Sequence, residues 1–104
     1  MSKCRIEFTR RANAQIRNLF AYIAQEDASA ALKMVERIEA RTQRLTETPE
    51  LGVELPEVDY PFLTPGYRRL LVSPFLIYYR VIEDTVFITH VIHERQNQKK
   101  TLES

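Results

Sequence analysis

Residues 3–8 alternate, with Cys4, Ile6 and Phe8 apolar against Arg5 and Glu7, and this period of two predicts a short first strand. Thr9 then stands where a helix cap is expected. From Ala12 the period lengthens: Ala12, Ile16, Leu19, Phe20 and Ile23 follow the i, i+4, i+7, i+8, i+11 series of one helical face. Asp27 is a good cap for a second helix, in which Ala31, Met34, Val35, Ile38 and Leu45 share a face while Glu36, Arg37, Glu39, Arg41 and Arg44 point mostly outward. Two consecutive helices make a hairpin. Pro49 and Gly52 end it, and Pro49, Pro56, Pro61 and Pro65 crowd the stretch that follows too closely for a regular element. A long surface connection is the expectation there.

Beyond Gly66 the period returns to two. Arg68, Leu70 and Val72 alternate with Tyr67, Arg69 and Leu71; past Ser73 and Pro74, Phe75, Ile77, Tyr79 and Val81 alternate with Leu76, Tyr78, Arg80 and Ile82. Glu83 and Asp84 form a tight polar turn. Val86, Ile88, His90 and Ile92 then alternate with Phe87, Thr89, Val91 and His93. Three strands joined by short turns form an antiparallel meander. Both faces of it carry apolar residues, so one face belongs under the helices and the other needs partial cover from the chain or a partner. The tail from Gln96 has Leu102 as its one apolar residue and carries Lys99 and Lys100.

Length and composition narrow the class. The 104 residues suit one domain, residues 1–104, with 44% hydrophobic and 28% charged positions, an ordinary globular composition. No apolar run approaches the roughly 20 residues that span a bilayer, and the N-terminus lacks a signal-peptide core, so the cytoplasm is the expected compartment. A single cysteine, Cys4, makes no internal disulfide and is expected to be a buried, inert thiol. The net charge is +1, but residues 1–25 carry five basic groups against one acidic, residues 26–64 four against nine, and residues 65–104 six against four. A basic surface is thus possible without a basic protein.

The candidate chemistry lies in the meander. No glycine-rich phosphate loop exists, since the glycines are Gly52 and Gly66, and no Cys/His spacing suits zinc. His90 and His93, three apart on a strand, belong on opposite faces and are not expected to share a metal. Arg68, Arg69, Arg80 and Arg95, with Tyr67, Tyr78, Tyr79 and His93 nearby, could pair with phosphate or carboxylate and stack on bases. The other reading is structural: Arg68 and Arg80 bridge to acids of the negative middle segment, and the tyrosines are core residues with a hydroxyl at the rim. A metal-free ribonuclease would need a base, an acid and a cation, and His93 with Arg68, Arg80 or Arg95 is the available trio. The tail offers no His, no Tyr and only Glu103 as an acid, so the trio binds better than it cleaves.

The chain resembles the ParE toxins of the RelE/ParE superfamily. The resemblance rests on TPELG at 48–52, LPEV at 55–58, GYRRLLV at 66–72, FLIYYRVIEDTVFITHVIHERQ at 75–96 and the AYIAQED…AALKMVERI helices, in that order and separation. It implies an α+β fold of β-α-α-β-β-β order, a helical hairpin on a small antiparallel sheet. It further implies the toxin of a bacterial type II toxin–antitoxin pair, associated with plasmid stabilisation and held as a hetero-oligomer by a cognate, ParD-like antitoxin. The superfamily divides into gyrase poisons and ribosome-dependent mRNA endoribonucleases. The tail QNQKKTLES, without Tyr or His, looks like the gyrase class. On that resemblance the expected activity is a cofactor-free, non-enzymatic inhibition of DNA gyrase, with Arg68, Arg69, Arg80, His93 and Arg95 as target-binding positions. The alternative is a RelE-type endoribonuclease acting on messenger at the ribosome through His93, Arg68, Arg80 and Arg95.

Overall fold

The computed structural model describes residues 3–56, 59, 65–96 and 102. Strand β1 (Arg5–Phe8) runs into helix α1 (Arg10–Ala24), which pairs with α2 (Ala28–Gln43) as a hairpin. Both caps are those the sequence predicts: Thr9 Oγ1 accepts from Ala12 N at 3.2 Å and Asp27 Oδ1 from Ala30 N at 3.0 Å. Leu45 falls just past α2, in a 3-10 turn over Arg44–Thr46, and is fully buried there. A second such turn, Pro49–Leu51, leads to the two-residue strand β2 (Val53–Glu54). The proline-rich stretch therefore does hold regular pieces, because Pro49 suits the first position of a helical turn and two extended residues fit before Pro56. Positions 57–58 and 60–64 of that stretch, and Lys99 and Lys100, lie outside the described residues. Strands β3 (Tyr67–Val72), β4 (Phe75–Ile82) and β5 (Thr85–His93) complete the chain's order.

The sheet order is β1-β5-β4-β3-β2. The meander is antiparallel as expected, and the sheet as a whole is mixed: β1 joins in parallel beside β5, with Arg5 opposite Thr85 and Phe8 opposite Ile88. Asp84 of the β4–β5 turn accepts from Arg5 N at 2.7 Å and so sets where β1 starts. The helices cover one face, and Leu19, Met34, Ile38, Leu70, Ile77 and Ile88 form its core. Leu55, Leu76, Tyr78, Ile92 and Leu102 make a smaller cluster on the other face, so the chain itself supplies part of the cover. Phe20, at the margin of the α1 stripe, is 38% exposed.

One strand departs from simple alternation. Tyr78 pairs with His90 and Tyr79 with Ile88, leaving Thr89 as an extra residue in a bulge. The bulge reverses the parity of β5: Val86 and Ile88 face the helices, but so do Val91 and His93, while His90 and Ile92 turn outward. Val86, Ile88, His90 and Ile92 thus do not share a face, although His90 and His93 do lie on opposite ones.

Beyond Phe8, where β1 stops, α1 takes over the edge of β5. Thr9 Oγ1 donates to Thr89 O at 3.3 Å, and Gln15 Oε1 accepts from Val91 N at 2.6 Å. Arg11 reaches His90 on the outer face, its Nη1 lying 3.0 Å from Nε2. A guanidinium can only donate, so Nε2 accepts and the neutral ring's proton sits on Nδ1, which donates to Thr89 Oγ1 at 2.9 Å. Burial, and then the charge of Arg11, lower the His90 pKa from 6.5 to about 4.

At the far edge, Tyr79 and Arg68 hold the 49–52 turn. The Tyr79 hydroxyl donates to Pro49 O at 2.8 Å and accepts from Gly52 N at 2.7 Å, and burial raises its pKa above 10.0. Arg68 Nη1 donates to Gly52 O at 2.8 Å and Glu50 O at 3.3 Å. A Cβ on Gly52 would stand 2.7 Å from both Cε1 and the hydroxyl oxygen of Tyr79, so only glycine allows this approach.

Three outcomes are expected. Tyr79→Phe orphans a buried amide and lowers stability in urea denaturation by about 1–3 kcal/mol, and Gly52→Ala, by displacing the ring, costs a comparable ~1–3 kcal/mol. For His90 the folded pKa is below the unfolded one, so its stabilisation is complete above pH 6.5 and is lost as pH falls toward 4. Between pH 7 and pH 5 the wild type should lose roughly 2 kcal/mol more than His90→Gln in paired denaturation curves; equal losses would contradict the neutral-histidine contact.

Candidate functional site

Where β5 ends, α1 and the β3–β4 turn leave an open groove of about 710 Å³. Helix α1 supplies Gln15, Asn18, Leu19, Tyr22 and Ile23, positions three and four apart that lie together on one side of a helix. Leu19, Ile23, Met34, Phe75 and Val91 give it an apolar floor, and Pro74 closes it at the turn, where Pro74 O accepts from Glu94 N at 2.9 Å. His93 stands edge-on to Phe75, ring centroids 5.4 Å apart at 85°. Its Nδ1 accepts from Arg95 N at 3.0 Å and its backbone N donates to Gln96 Oε1 at 2.7 Å, so the strand end is turned back on itself. In the neutral ring this leaves Nε2–H as a donor.

The lining has a clear polarity. Among the described residues it contains one guanidinium, one imidazole and no carboxylate. Gln15 uses its carbonyl on Val91, which leaves its NH2 group to donate. Tyr22 is 70% exposed. Neither Tyr22 nor Asn18 nor the Arg95 guanidinium has a hydrogen-bond or ionic partner among the described residues. Donors over an apolar floor suit an occupant that brings apolar side chains and acceptors.

The five residues singled out in the sequence do not converge. Arg68 lies on the helix side, bound to the backbone of the 49–52 turn. His93 is on the same side but at the other end: Arg68 is opposite Tyr79 and His93 opposite Phe75, four residues or about 13 Å apart along β4. Arg69 and Arg80 are on the outer face with Tyr67, Tyr78 and His90, and the Arg80 guanidinium sits 5.7 Å from the Tyr67 ring centroid. Arg95, exposed just past β5, is the one member placed beside His93. The alternative structural reading of Arg68 holds in a modified form, since its partners are carbonyls rather than acids. Gln15, Asn18 and Tyr22 were not singled out; their spacing along the margin of the apolar stripe of α1 is the signal that marks them. Among the described residues no three His, Cys, Asp or Glu side chains cluster as a metal site would require.

The family model for the ParE toxin of the type II toxin–antitoxin system parDE matches residues 6–98. A chain of Sinorhizobium fredii (strain NBRC 101917 / NGR234) named "Putative toxin Y4kP" is 32% identical over 104 residues, spanning 98% of this chain and 100% of that relative. Among solved structures, a chain of the "Chromosomal ParDE TA system from P. aeruginosa" superposes with a TM-score of 0.69 at 24% identity, over 88% of this chain and 96% of that one. The last likeness speaks for the fold, an α+β arrangement of two helices on a five-stranded sheet. On the span of the family model and the full-length Sinorhizobium relative, the chain belongs to the ParE toxin family of type II toxin–antitoxin systems.

Proposed function

We propose that this toxin acts by binding rather than by bond cleavage, that its target is DNA gyrase in the cytoplasm, and that a cognate antitoxin neutralises it. The observation that supports this reading is the dispersal of the candidate catalytic groups. A 2′-hydroxyl attack on phosphate needs base, acid and cation around one phosphorus. Arg68 is engaged with carbonyls, Arg80 is on the opposite face from His93, and only Arg95 is near the imidazole. Arg69 and Arg80 on the outer face, and His93 and Arg95 at the groove, suit two contact surfaces for macromolecules. No helix among the described residues is long and apolar enough to cross a membrane.

A second reading, a ribosome-dependent mRNA endoribonuclease, draws on one feature of the outer face. Tyr67, Arg69, Arg80 and buried His90 lie there together, and basic and aromatic side chains in company are suited to nucleic acid. The two readings separate in purified assays. The gyrase reading expects supercoiling by gyrase to fall with added toxin while ribosome-bound messenger stays intact, and Arg95→Ala to weaken that inhibition about tenfold or more. Intact gyrase activity with cleaved messenger, abolished by joint Arg69→Ala and Arg80→Ala replacement, would establish the ribonuclease instead.

A further inference from the structure

We infer that the solvent face of α1 is a binding site for duplex DNA, which it holds by the phosphates without regard to sequence. This goes beyond the gyrase reading and stands apart from it, because it concerns what the toxin binds on its own. From Arg10 to Gln25 the chain carries three basic residues, Arg10, Arg11 and Arg17, and no acid. Arg10, Asn13 and Arg17 follow the i, i+3, i+7 series of one helical face and all three are exposed, so the two guanidinium groups are rooted about 10.5 Å apart along the helix axis. Neither Arg10 nor Arg17 has a hydrogen-bond or ionic partner among the described residues. Arg11, on the flank toward β5, rests its Nη1 on the neutral Nε2 of His90 rather than on a carboxylate, a contact that orients the guanidinium and leaves its charge uncompensated. A structural role does not account for these positions. Arg10 and Arg11 stand in the first turn of α1, where the helix dipole disfavours cations, and that turn has no acid to offset them. The same partial positive charge that opposes them adds to the field an anion meets there.

The other cationic surfaces lack this uniformity. On α2, Glu36 and Glu39 are interspersed with Lys33 and Arg37. Arg5 shares β1 with the exposed Glu7, and Arg80 lies over the Tyr67 ring. At the groove Arg95 is a single guanidinium above an apolar floor. The chemistry of the α1 face then selects the ligand. A protein partner is anchored by large apolar or aromatic side chains at the centre of the contact, and the face from Arg10 to Arg17 presents none. The exposed ones lie elsewhere, Phe20 and Tyr22 toward the far end of α1 and the rest on α2 and on strands β2, β3 and β4. A single-stranded nucleic acid calls for aromatic platforms on which its bases stack, and these too are missing between Arg10 and Arg17. Duplex DNA asks only for cations, since it carries one phosphate charge per roughly 1.7 Å of its axis. A straight helix with guanidinium groups spread over about 10 Å meets several of those phosphates at once.

The test titrates the full-length toxin into a fluorescent duplex of about 20 base pairs and arbitrary sequence, following anisotropy from about 50 to 200 mM salt. With three phosphate contacts, log K should fall against log salt with a slope of about −2.7, or ~0.9 per contact. Arg10→Ala and Arg17→Ala should each weaken binding about tenfold at the lowest salt and make the slope shallower by about 1. Arg17→Lys, which keeps the charge, and Lys33→Ala, on α2, should each stay within about threefold of wild type with the slope unchanged. Arg10 and Arg17 are exposed, so matched melting temperatures will show that the variants remain folded. The inference is overturned if wild type does not bind the duplex at the lowest salt, or if the α1 variants keep the wild-type slope. It is also overturned if Lys33→Ala loses as much as they do, or if single-stranded RNA of the same length binds more tightly than the duplex. None of these outcomes bears on whether the toxin inhibits gyrase, which the supercoiling assay reads separately.

Discussion

The edge of β5 is divided between two kinds of partner, and the arrangement of the rest follows from that division. Over Thr85–Ile88 the edge is paired by the backbone of β1. Past Ile88 a continued parallel strand would cover the sheet edge entirely, but the chain turns into α1 at Thr9, and side chains must satisfy the remaining backbone groups. Thr9 does so for Thr89 and Gln15 for Val91. A strand edge with unpaired N–H and C=O groups is unstable when buried and adhesive when exposed. Here the first turns of the helix close it, and in doing so fix how far α1 stands from the sheet.

That spacing creates the groove. Gln15 brings α1 against Val91, while one and two turns further on the helix passes over Phe75 and the β3–β4 turn with a gap beneath Leu19, Tyr22 and Ile23. The same bulge at Thr89 that offers its carbonyl to Thr9 also rotates His93 inward and His90 outward. One residue inserted in one strand thereby separates the two imidazoles, setting His90 against Arg11 on the outer face and His93 beside Arg95 at the groove. The cationic residues divide accordingly into a structural one, Arg68, an outer pair, Arg69 and Arg80, and the groove's Arg95.

Much of the fold is legible in the sequence because it depends on local periods. The helix caps Thr9 and Asp27, the two helices and the three meander strands all arise from contacts between residues close in the chain. The parallel docking of β1 on β5 is a pairing across some eighty positions, and nothing near Arg5 or Thr85 announces it. The bulge is likewise silent, since Thr89 fits an alternating pattern as well as any residue. The clasp on the 49–52 turn needs two residues distant in the chain, Arg68 and Tyr79, and so Arg68 reads as a site residue when its guanidinium holds a loop. At the groove, charge makes His93 and Arg95 prominent, but Gln15, Asn18 and Tyr22 look like the ordinary polar margin of an amphipathic helix. The family resemblance implies the same β-α-α-β-β-β order that the periods reach on their own, and the family model's match over residues 6–98 upholds the resemblance.

Amide exchange at Val91 probes the bolt between α1 and β5 most directly. Its N–H has the Gln15 side chain as partner at 2.6 Å and would otherwise face an open strand edge. In wild type the amide should exchange as slowly as its neighbours in the sheet core, and in Gln15→Ala it should speed up selectively while Ile77 and Tyr79 keep their protection. Unchanged protection of Val91 in the variant, or a uniform loss across the whole sheet, would contradict the account of α1 as the piece that closes this edge and shapes the groove.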